Sequence, residues 1–293
     1  MAANQENSGG TAARRRRFAF WLLPLLVGGL YLFTDSGPRD LPPEDADPSR
    51  QTVDPASQAS NLPSPEPAAV GFFGPVSRLT PVVGDWNGDG RDETGVYHAY
   101  GGIGRFLLDD GGNDSPDPNL LAVLYGPSRV TPVAGDWNGD GRHQLGFYGS
   151  RGEIAEFVLD SNDNGSLDPG DRICNYGLAT DTPIAGDWNG DGCDQVGSFR
   201  PIGDIGQFML DSNDNGVWDP TDGVFLYGLA TDRPVVGDWD GDGRDDIGNF
   251  RAAGEIGQYI LDSNGNGVWD PTDRVFSFGL ASDIPIAGDW NGD

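Results

Sequence analysis

The chain has 293 residues, with 46 Asp and Glu against 18 Lys and Arg, and its formal net charge at pH 7 is −28. Every basic residue is Arg, which excludes lysine chemistry, and the excess of acid argues against nucleic-acid binding, which needs a basic surface. High charge with 37% hydrophobic residues can indicate disorder, but 8 Trp, 8 Tyr and 14 Phe are too many for a disordered acidic chain.

The N-terminal segment is predicted to direct the chain to a membrane. Residues 1–17 are a short basic tail that ends in four arginines, and an apolar segment occupies 18–34. No Ala-x-Ala cleavage site comes after Phe33, so the sequence favours an uncleaved transmembrane signal-anchor helix with a cytoplasmic tail. A cleaved signal peptide, giving a secreted protein, and a buried soluble helix are the alternatives. The rest of the chain is expected to be extracytoplasmic, at the cell surface or in the periplasm.

Residues 35–69 are predicted to be a linker. They are rich in proline and acidic residues and contain almost no apolar side chain, so they cannot bury a core. Such a segment is expected to be extended and stiff, as a stalk between the membrane and residues 70–293.

The remainder, residues 70–293, repeats with a period of 51 residues. The motif Gly-Asp-Trp begins at Gly84, Gly135, Gly186, Gly237 and Gly288. Each complete unit has four strand-like segments, a to d, which in the fourth unit are Pro234–Trp239, Asp246–Arg251, Glu255–Leu261 and Arg274–Gly279. Four short strands per unit in tandem are typical of propeller blades. The predicted fold is therefore an all-β propeller of four-stranded blades; a β-solenoid and an array of separate modules are the alternatives.

The two ends of the repeat region are predicted to share one blade. Val70–Gly74 resembles segment d of later units, and the chain stops inside a fifth copy of the first motif. We therefore expect the repeat region to be truncated, and the complete ring to have five blades or more.

The connection between segments a and b, the a–b loop, is predicted to bind a cation. Oxygen-bearing side chains occupy positions 1, 3, 5 and 9, glycine at position 6 allows a sharp turn, and the position 7 carbonyl adds an oxygen. Positions 1, 3, 5, 7 and 9 of the four units are Asp85, Asn87, Asp89, Arg91, Glu93; Asp136, Asn138, Asp140, Arg142, Gln144; Asp187, Asn189, Asp191, Cys193, Gln195; and Asp238, Asp240, Asp242, Arg244, Asp246. The two units with Gln at position 9 are expected to bind more weakly, because ligand charge sets affinity.

The connection between segments c and d, the c–d loop, is predicted to be a second cation loop. It has oxygens at positions 1, 3, 5, 9 and 12 and glycine at position 6, close to the calcium-loop pattern. These ligands are Asp160, Asn162, Asn164, Asp168, Asp171; Asp211, Asn213, Asn215, Asp219, Asp222; and Asp262, Asn264, Asn266, Asp270, Asp273. The first unit lacks this loop pattern, since Gly111, Asp114 and Leu120 replace key residues.

Calcium is the expected ion, because loops with many oxygen ligands suit its coordination better than that of magnesium. Solvated turns without metal are the alternative, since Asp, Asn and Gly are common in hairpin connections. Seven near-complete copies in register favour the metal.

The Asp-x-Asn-x-Asp-Gly loops, preceded by Phe-Gly or Tyr-Gly as at Phe73-Gly74 and Tyr227-Gly228, resemble FG-GAP/VCBS repeats. The resemblance implies an integrin-α-like propeller with calcium in a hairpin loop, used for adhesion, ligand binding or scaffolding. Two features depart from that family. The Gly-Ala-Pro element is missing, and the c–d loop is additional.

The remaining notable residues do not predict catalysis. The Trp at position 2 of every a–b loop is expected to pack between blades, whereas Trp218 and Trp269 are candidates for an exposed stacking surface. His98 and His143 have no evident catalytic partner, Cys174 is expected in the core, and a Cys174–Cys193 disulfide is left open.

The predicted function is a membrane-anchored, calcium-binding adhesion or ligand-binding module, without enzymatic activity, for an unknown protein or glycan. A lectin-like or accessory module of a larger exported carbohydrate-active protein is the alternative.

Overall fold

The structure is a computed structural model that describes residues 21–23, 79–111 and 120–292. In this part of the chain the regular elements are β-strands. Strand β1 spans Trp21–Leu23. The strands of the repeat region are β2 (Thr80–Gly84), β3 (Glu93–Tyr100), β4 (Ile103–Leu108) and β5 (Leu121–Pro127) in blade 1; β6 (Thr131–Gly135), β7 (Gln144–Arg151), β8 (Ile154–Leu159) and β9 (Arg172–Cys174) in blade 2; β10 (Thr182–Gly186), β11 (Gln195–Ile202), β12 (Ile205–Leu210) and β13 (Gly223–Leu229) in blade 3; β14 (Arg233–Gly237), β15 (Asp246–Ala253), β16 (Ile256–Leu261) and β17 (Arg274–Leu280) in blade 4; and finally β18 (Ile284–Ile286).

The fold is a β-propeller with four complete four-stranded blades. Each blade is an antiparallel sheet whose strands lie in sequence order, so the predicted segments a to d and the all-β fold class are confirmed. In blade 4 the predicted segment Arg274–Gly279 differs from β17 by one residue.

Aromatic pairs lie across the middle of each blade. Tyr97, Tyr148, Phe199 and Phe250 of the second strands face Phe106, Phe157, Phe208 and Tyr259 of the third strands. The ring centroids of these pairs are 4.9–5.0 Å apart. Such directly opposed aromatic pairs stabilise a sheet beyond the burial of their area.

The inner strands form a ring that includes β18. Strands β2, β6, β10 and β14 are neighbours in that order, and β18 lies beside both β14 and β2. A repeated backbone bond joins the blades, in which the position 8 amide of one a–b loop donates to the position 1 carbonyl of the preceding loop; His143 N–H to Asp85 O, at 2.8 Å, is one example. The bond from Asp92 N–H to Asp289 O, also 2.8 Å, closes the ring through the fifth copy of the motif.

Strand β1 pairs antiparallel with β18, with Trp21 opposite Ile286. Among the described strands, β18 is hydrogen-bonded in a sheet with β1 alone, and β1 takes up the edge whose backbone groups would otherwise be unpaired. The three residues of β1 lie within the segment 18–34 for which the sequence predicts a transmembrane helix, and that prediction stays untested. The other residues of that segment lie outside the described residues, as do the basic tail 1–17, the linker 35–69 and Val70–Gly74. Among the described residues, no helix is long and apolar enough to cross a membrane.

Candidate metal-binding loops and the surrounding surfaces

The position 1 aspartate organises each complete a–b loop. Asp85 is buried, and its Oδ1 accepts from Gly88 N at 2.6 Å while Oδ2 accepts from Gly90 N at 2.7 Å. Gly90 has φ 86°, a backbone conformation that favours glycine. The same bonds recur at Asp136, Asp187 and Asp238. The first carboxylate therefore holds the turn of the loop, together with the side chains at positions 3 and 5, which accept from the amides two residues further on.

In blades 1 and 4 the a–b loop gathers three carboxylates. One oxygen each from Asp85, Asp89 and Glu93 lies within 4.8 Å of the others, and the same holds for Asp238, Asp240 and Asp246. Burial, followed by the carboxylates of Asp85, Asp89 and Asp92, raises the pKa of Glu93 to about 7, although the bond from the Trp86 amide lowers it. Burial and the nearby carboxylate of Asp240 raise the pKa of Asp246 to about 8. Both loops concentrate negative charge that a cation could neutralise.

In blades 2 and 3 a glutamine amide fills the corresponding position. The Oε1 atom of Gln144 accepts from Trp137 N at 2.8 Å, and its Nε2 donates to the carbonyl of Arg142 at 2.6 Å. The same nitrogen lies 3.4 Å from Asn138 Oδ1 and Asp140 Oδ1. Gln195 repeats the two main bonds, with Nε2 donating to the Cys193 carbonyl at 2.5 Å. The amide hydrogens thus face oxygens that the sequence assigns to a metal.

The three c–d loops are closed by bonds within the loop. Asp211 is buried and accepts from the amides of Asn215 and Gly216. Asp219 accepts from the Asn215 side chain at 2.7 Å and from the Thr221 hydroxyl at 2.6 Å, and the Thr221 bonds lower its pKa to about 2. Among the described residues, three carboxylates do not meet in any c–d loop as they do in the two a–b loops.

The last aspartate of each c–d loop also joins neighbouring blades. Tyr125 donates its hydroxyl to Asp171 Oδ2 at 2.9 Å, a link across 46 residues, and Tyr176–Asp222 and Tyr227–Asp273 repeat it. Burial foremost, then the adjacent aspartate, raises the pKa of each tyrosine above its usual range. The loop pattern predicts only a metal-binding role for these aspartates. The Tyr-Gly dipeptide 46 residues earlier was the signal for the second role.

The a–b loops converge on a cavity of about 560 Å³ at the centre of the ring. Its wall includes the position 8 residues Asp92, His143, Asp194 and Asp245. His143 Nδ1 accepts from Asp85 N at 3.0 Å. Burial lowers the pKa of His143, but the carboxylates of Asp92 and Asp194 outweigh it, so the pKa is raised overall. His143 is therefore part of the joint between blades, a position that the sequence did not indicate.

The tryptophans divide as expected. Trp86, Trp137 and Trp188 are buried, and each belongs to a cluster that includes residues of the next blade, which confirms packing between blades for these three. Trp239 is partly buried and packs against residues of its own blade. Trp218 and Trp269 are exposed, at 54% and 55%. Cys174 lies in the core as predicted, and both cysteines are free, so the structure has no disulfide between Cys174 and Cys193.

The comparisons with known proteins do not assign the chain to a family. No protein-family model matches the chain, and no curated protein matches it; the resemblance to FG-GAP/VCBS repeats stays a prediction. Among solved structures, the chain is similar to a lectin from Agrocybe aegerita described for its recognition of non-reducing terminal N-acetylglucosamine, with 17% identity and a TM-score of 0.40. The match covers 71% of this chain, which spans 58% of the lectin chain.

Proposed function

We propose that the chain is an exported, calcium-stabilised propeller of the FG-GAP/VCBS type that binds a ligand at the cell surface. The proposal includes a membrane anchor within residues 18–34 and assigns no catalytic step to the chain. Export is supported by the basic tail and the apolar segment of the sequence. Outside the cell a low affinity is sufficient, since extracellular calcium modules bind at about 10⁻⁴–10⁻³ M.

One contrast carries the calcium part of the proposal. Four loops of the same shape differ at position 9, where Glu93 and Asp246 complete a group of three carboxylates, whereas Gln144 and Gln195 place an amide nitrogen among the oxygens. The position 7 carbonyl can accept a hydrogen bond from the glutamine amide or bind a cation, but not both in the same way. The loops of blades 1 and 4 each bring together three carboxylates, at least one more negative charge than the loops with glutamine, so we propose them as the primary calcium sites.

The c–d loops of blades 2, 3 and 4 are proposed as a second set of sites. Their position 1 aspartates are buried, and burial raises the pKa of Asp160, Asp211 and Asp262 although backbone bonds lower it. In these loops the Asn side chains donate from Nδ2 to the aspartate at position 9. To bind an ion, each Asn amide must rotate so that its Oδ1 faces the ion. These sites are therefore expected to be weaker than those of blades 1 and 4.

The test is calcium binding by the full chain in detergent, measured by titration calorimetry and by melting with and without chelator. We expect two or more calcium ions per chain and a rise of several degrees in the melting temperature, since saturating a site at 100 times its Kd adds about 2.7 kcal/mol. The double variant Glu93→Gln/Asp246→Asn should lose two ions. No bound calcium by elemental analysis and no shift on melting would refute the proposal.

A further inference from the structure

The surface between blades 3 and 4 contains a groove that the calcium loops do not explain. It encloses about 340 Å³ and lies between Tyr227–Leu229 of blade 3 and one face of blade 4. That face contributes Arg251, Gln258 and Val275, and Trp269 of the c–d loop forms part of the wall. A concave site of this size, with mostly apolar walls and a few convergent polar groups, is typical of small-ligand binding.

The polar groups of the groove are fixed and electrically neutral as a set. Arg251 is held by Asp232 through two bonds, Nε to Oδ1 at 2.9 Å and Nη2 to Oδ2 at 2.7 Å. The Asp232 side chain is fully buried, while that of Arg251 keeps 30% exposure. Gln258 lies directly opposite Arg251 on the neighbouring strand. Since the carboxylate already balances the guanidinium, the groove presents donors and acceptors without a net charge.

Blade 3 carries the same combination. Arg200 is held by Asp181 at 2.8 and 2.7 Å, Gln207 lies opposite Arg200, and Trp218 stands at the position of Trp269. Exposure of the two indoles is nearly equal, at 54% and 55%. Two blades therefore repeat a Trp–Arg–Asp–Gln set with the same spacing.

Blade 2 lacks the whole combination although its c–d loop has the same form. One period earlier than the set of blade 3, Leu167 replaces the tryptophan, Gly149 the arginine, Glu156 the glutamine and Val130 the aspartate. Leu167 is 55% exposed, so the loop position is equally accessible. If the Trp–Arg–Asp–Gln set only helped the loop or the blade to fold, blade 2 would need it as well, because blade 2 has the same strands and the same loop. The aspartate also accepts a backbone amide in its own turn, from Leu178 or Leu229, but the exposed tryptophan, the arginine and the glutamine change with it, which points to a shared ligand.

We propose that the groove between blades 3 and 4, and the equivalent Trp–Arg–Asp–Gln set of blade 3, bind the pyranose rings of neutral glycans. An exposed indole offers a flat apolar surface for the C–H face of a sugar, and the paired Arg and the Gln amide offer hydrogen bonds to hydroxyl groups. An anionic ligand is disfavoured, because Asp232 neutralises Arg251 and the chain carries a net charge of −28. This inference names the ligand class of the proposed binding module and rests on that function in part.

The experiment uses the full chain in detergent with calcium. It is tested against immobilised neutral glycans that end in glucose, galactose, mannose, N-acetylglucosamine or N-acetylgalactosamine, and the best methyl glycoside is then titrated. We expect Trp218→Ala/Trp269→Ala to weaken binding at least tenfold, and each single variant to remove one of two sites. Gln258→Glu, which introduces the residue of blade 2, should weaken the blade 4 site. The matched control Leu167→Ala should bind as the unmodified chain does.

Melting with and without chelator is measured on every variant, so that the two proposals can fail separately. Glycan binding lost in the double tryptophan variant with an unchanged calcium shift supports the proposed glycan sites. Glycan binding that persists in that variant, or no binding of any neutral glycan by a chain that still shows the calcium shift, overturns the inference. Tryptophan-dependent capture of a protein instead of a glycan would also overturn the ligand class. A chain that binds glycans without any calcium shift would refute only the calcium proposal.

Discussion

Gln144 Nε2 donates to the carbonyl oxygen of Arg142 at 2.6 Å, inside a loop whose counterpart in blade 1 has Glu93 at the same position. The bond is possible because Trp137 N–H holds the other end of the amide at 2.8 Å. In blade 1 the equivalent amide, Trp86 N–H, binds Glu93 Oε2 at 3.1 Å, and Glu93 Oε1 accepts from Asn87 Nδ2 at 2.8 Å, so Glu93 only accepts hydrogen bonds and adds a negative charge beside Asp85 and Asp89. One side-chain atom therefore decides whether position 9 donates a hydrogen bond within the loop, as in blade 2, or adds a negative charge to it, as in blade 1.

Glu93→Gln is expected to stabilise the calcium-free protein. The variant gives blade 1 the glutamine that blade 2 already has, and it removes a buried charge, so the free energy of unfolding in chelator should rise by roughly 1–3 kcal/mol at pH 8. The gain from calcium should become smaller at the same time. Chemical denaturation with and without calcium measures both effects.

The reverse exchange is the control. Gln144→Glu should destabilise the protein in chelator, because it adds a third carboxylate to the a–b loop of blade 2, beside Asp136 and Asp140. It should also increase the stabilisation by calcium. A Glu93→Gln variant that is less stable in chelator, or that keeps the full gain from calcium, would contradict this account.

Stability without calcium should fall as the pH rises. The pKa values of Glu93 and Asp246 are raised in the folded state to about 7 and about 8, above the ordinary carboxyl range. Between the unfolded and folded pKa values the native state binds more protons, so stability is fully present below pH ~4 and is lost as the pH rises through ~7 to 8. Calcium should cancel this loss by replacing the protons.

Melting temperatures from pH 5 to 9 in chelator test this dependence. The double variant Glu93→Gln/Asp246→Asn should give a flatter curve over the same range. A calcium-free protein that gains stability between pH 5 and 8 would show that these two carboxylates do not dominate the dependence.

The sequence identified the features that repeat within one unit, and missed the bonds that join two units. The 51-residue period placed the strands of blade 4, and comparison of equivalent positions between units placed Trp137 and Cys174 in the core. The bonds Tyr125–Asp171 and His143–Asp85 span 46 and 58 residues, and they depend on the rotation between adjacent blades, which no pattern within a unit encodes. The inward turn of the Gln144 amide could not be predicted either, because glutamine serves equally well as an oxygen ligand.

Tyr227→Phe is expected to weaken the joint between blades 3 and 4. The hydroxyl of Tyr227 donates to Asp273 Oδ2 at 3.1 Å, and Tyr227 is 1% exposed. Removing the donor leaves a carboxylate oxygen with one partner fewer, which costs about 1–3 kcal/mol. Denaturant melts give the change in the free energy of unfolding.

The matched control for this variant is Tyr100→Phe. Tyr100 is 45% exposed, so removal of its hydroxyl should change stability by no more than about 0.5 kcal/mol. Equal effects of the two variants would show that the bond to Asp273 does not contribute to the joint.

Gly257→Ala should destabilise blade 4 through a steric clash. A Cβ atom at Gly257 would lie 2.2 Å from Phe250 Cζ and 2.9 Å from the backbone oxygen of Phe278, so the strand must shift, at a cost of about 1–3 kcal/mol or more. Gly149→Ala in β7 is the control, since its nearest contact would be an ordinary 3.6 Å to Val130. We expect that variant to change the free energy of unfolding by less than about 0.5 kcal/mol. If both variants are equally stable, the Phe250 ring does not require a glycine at position 257.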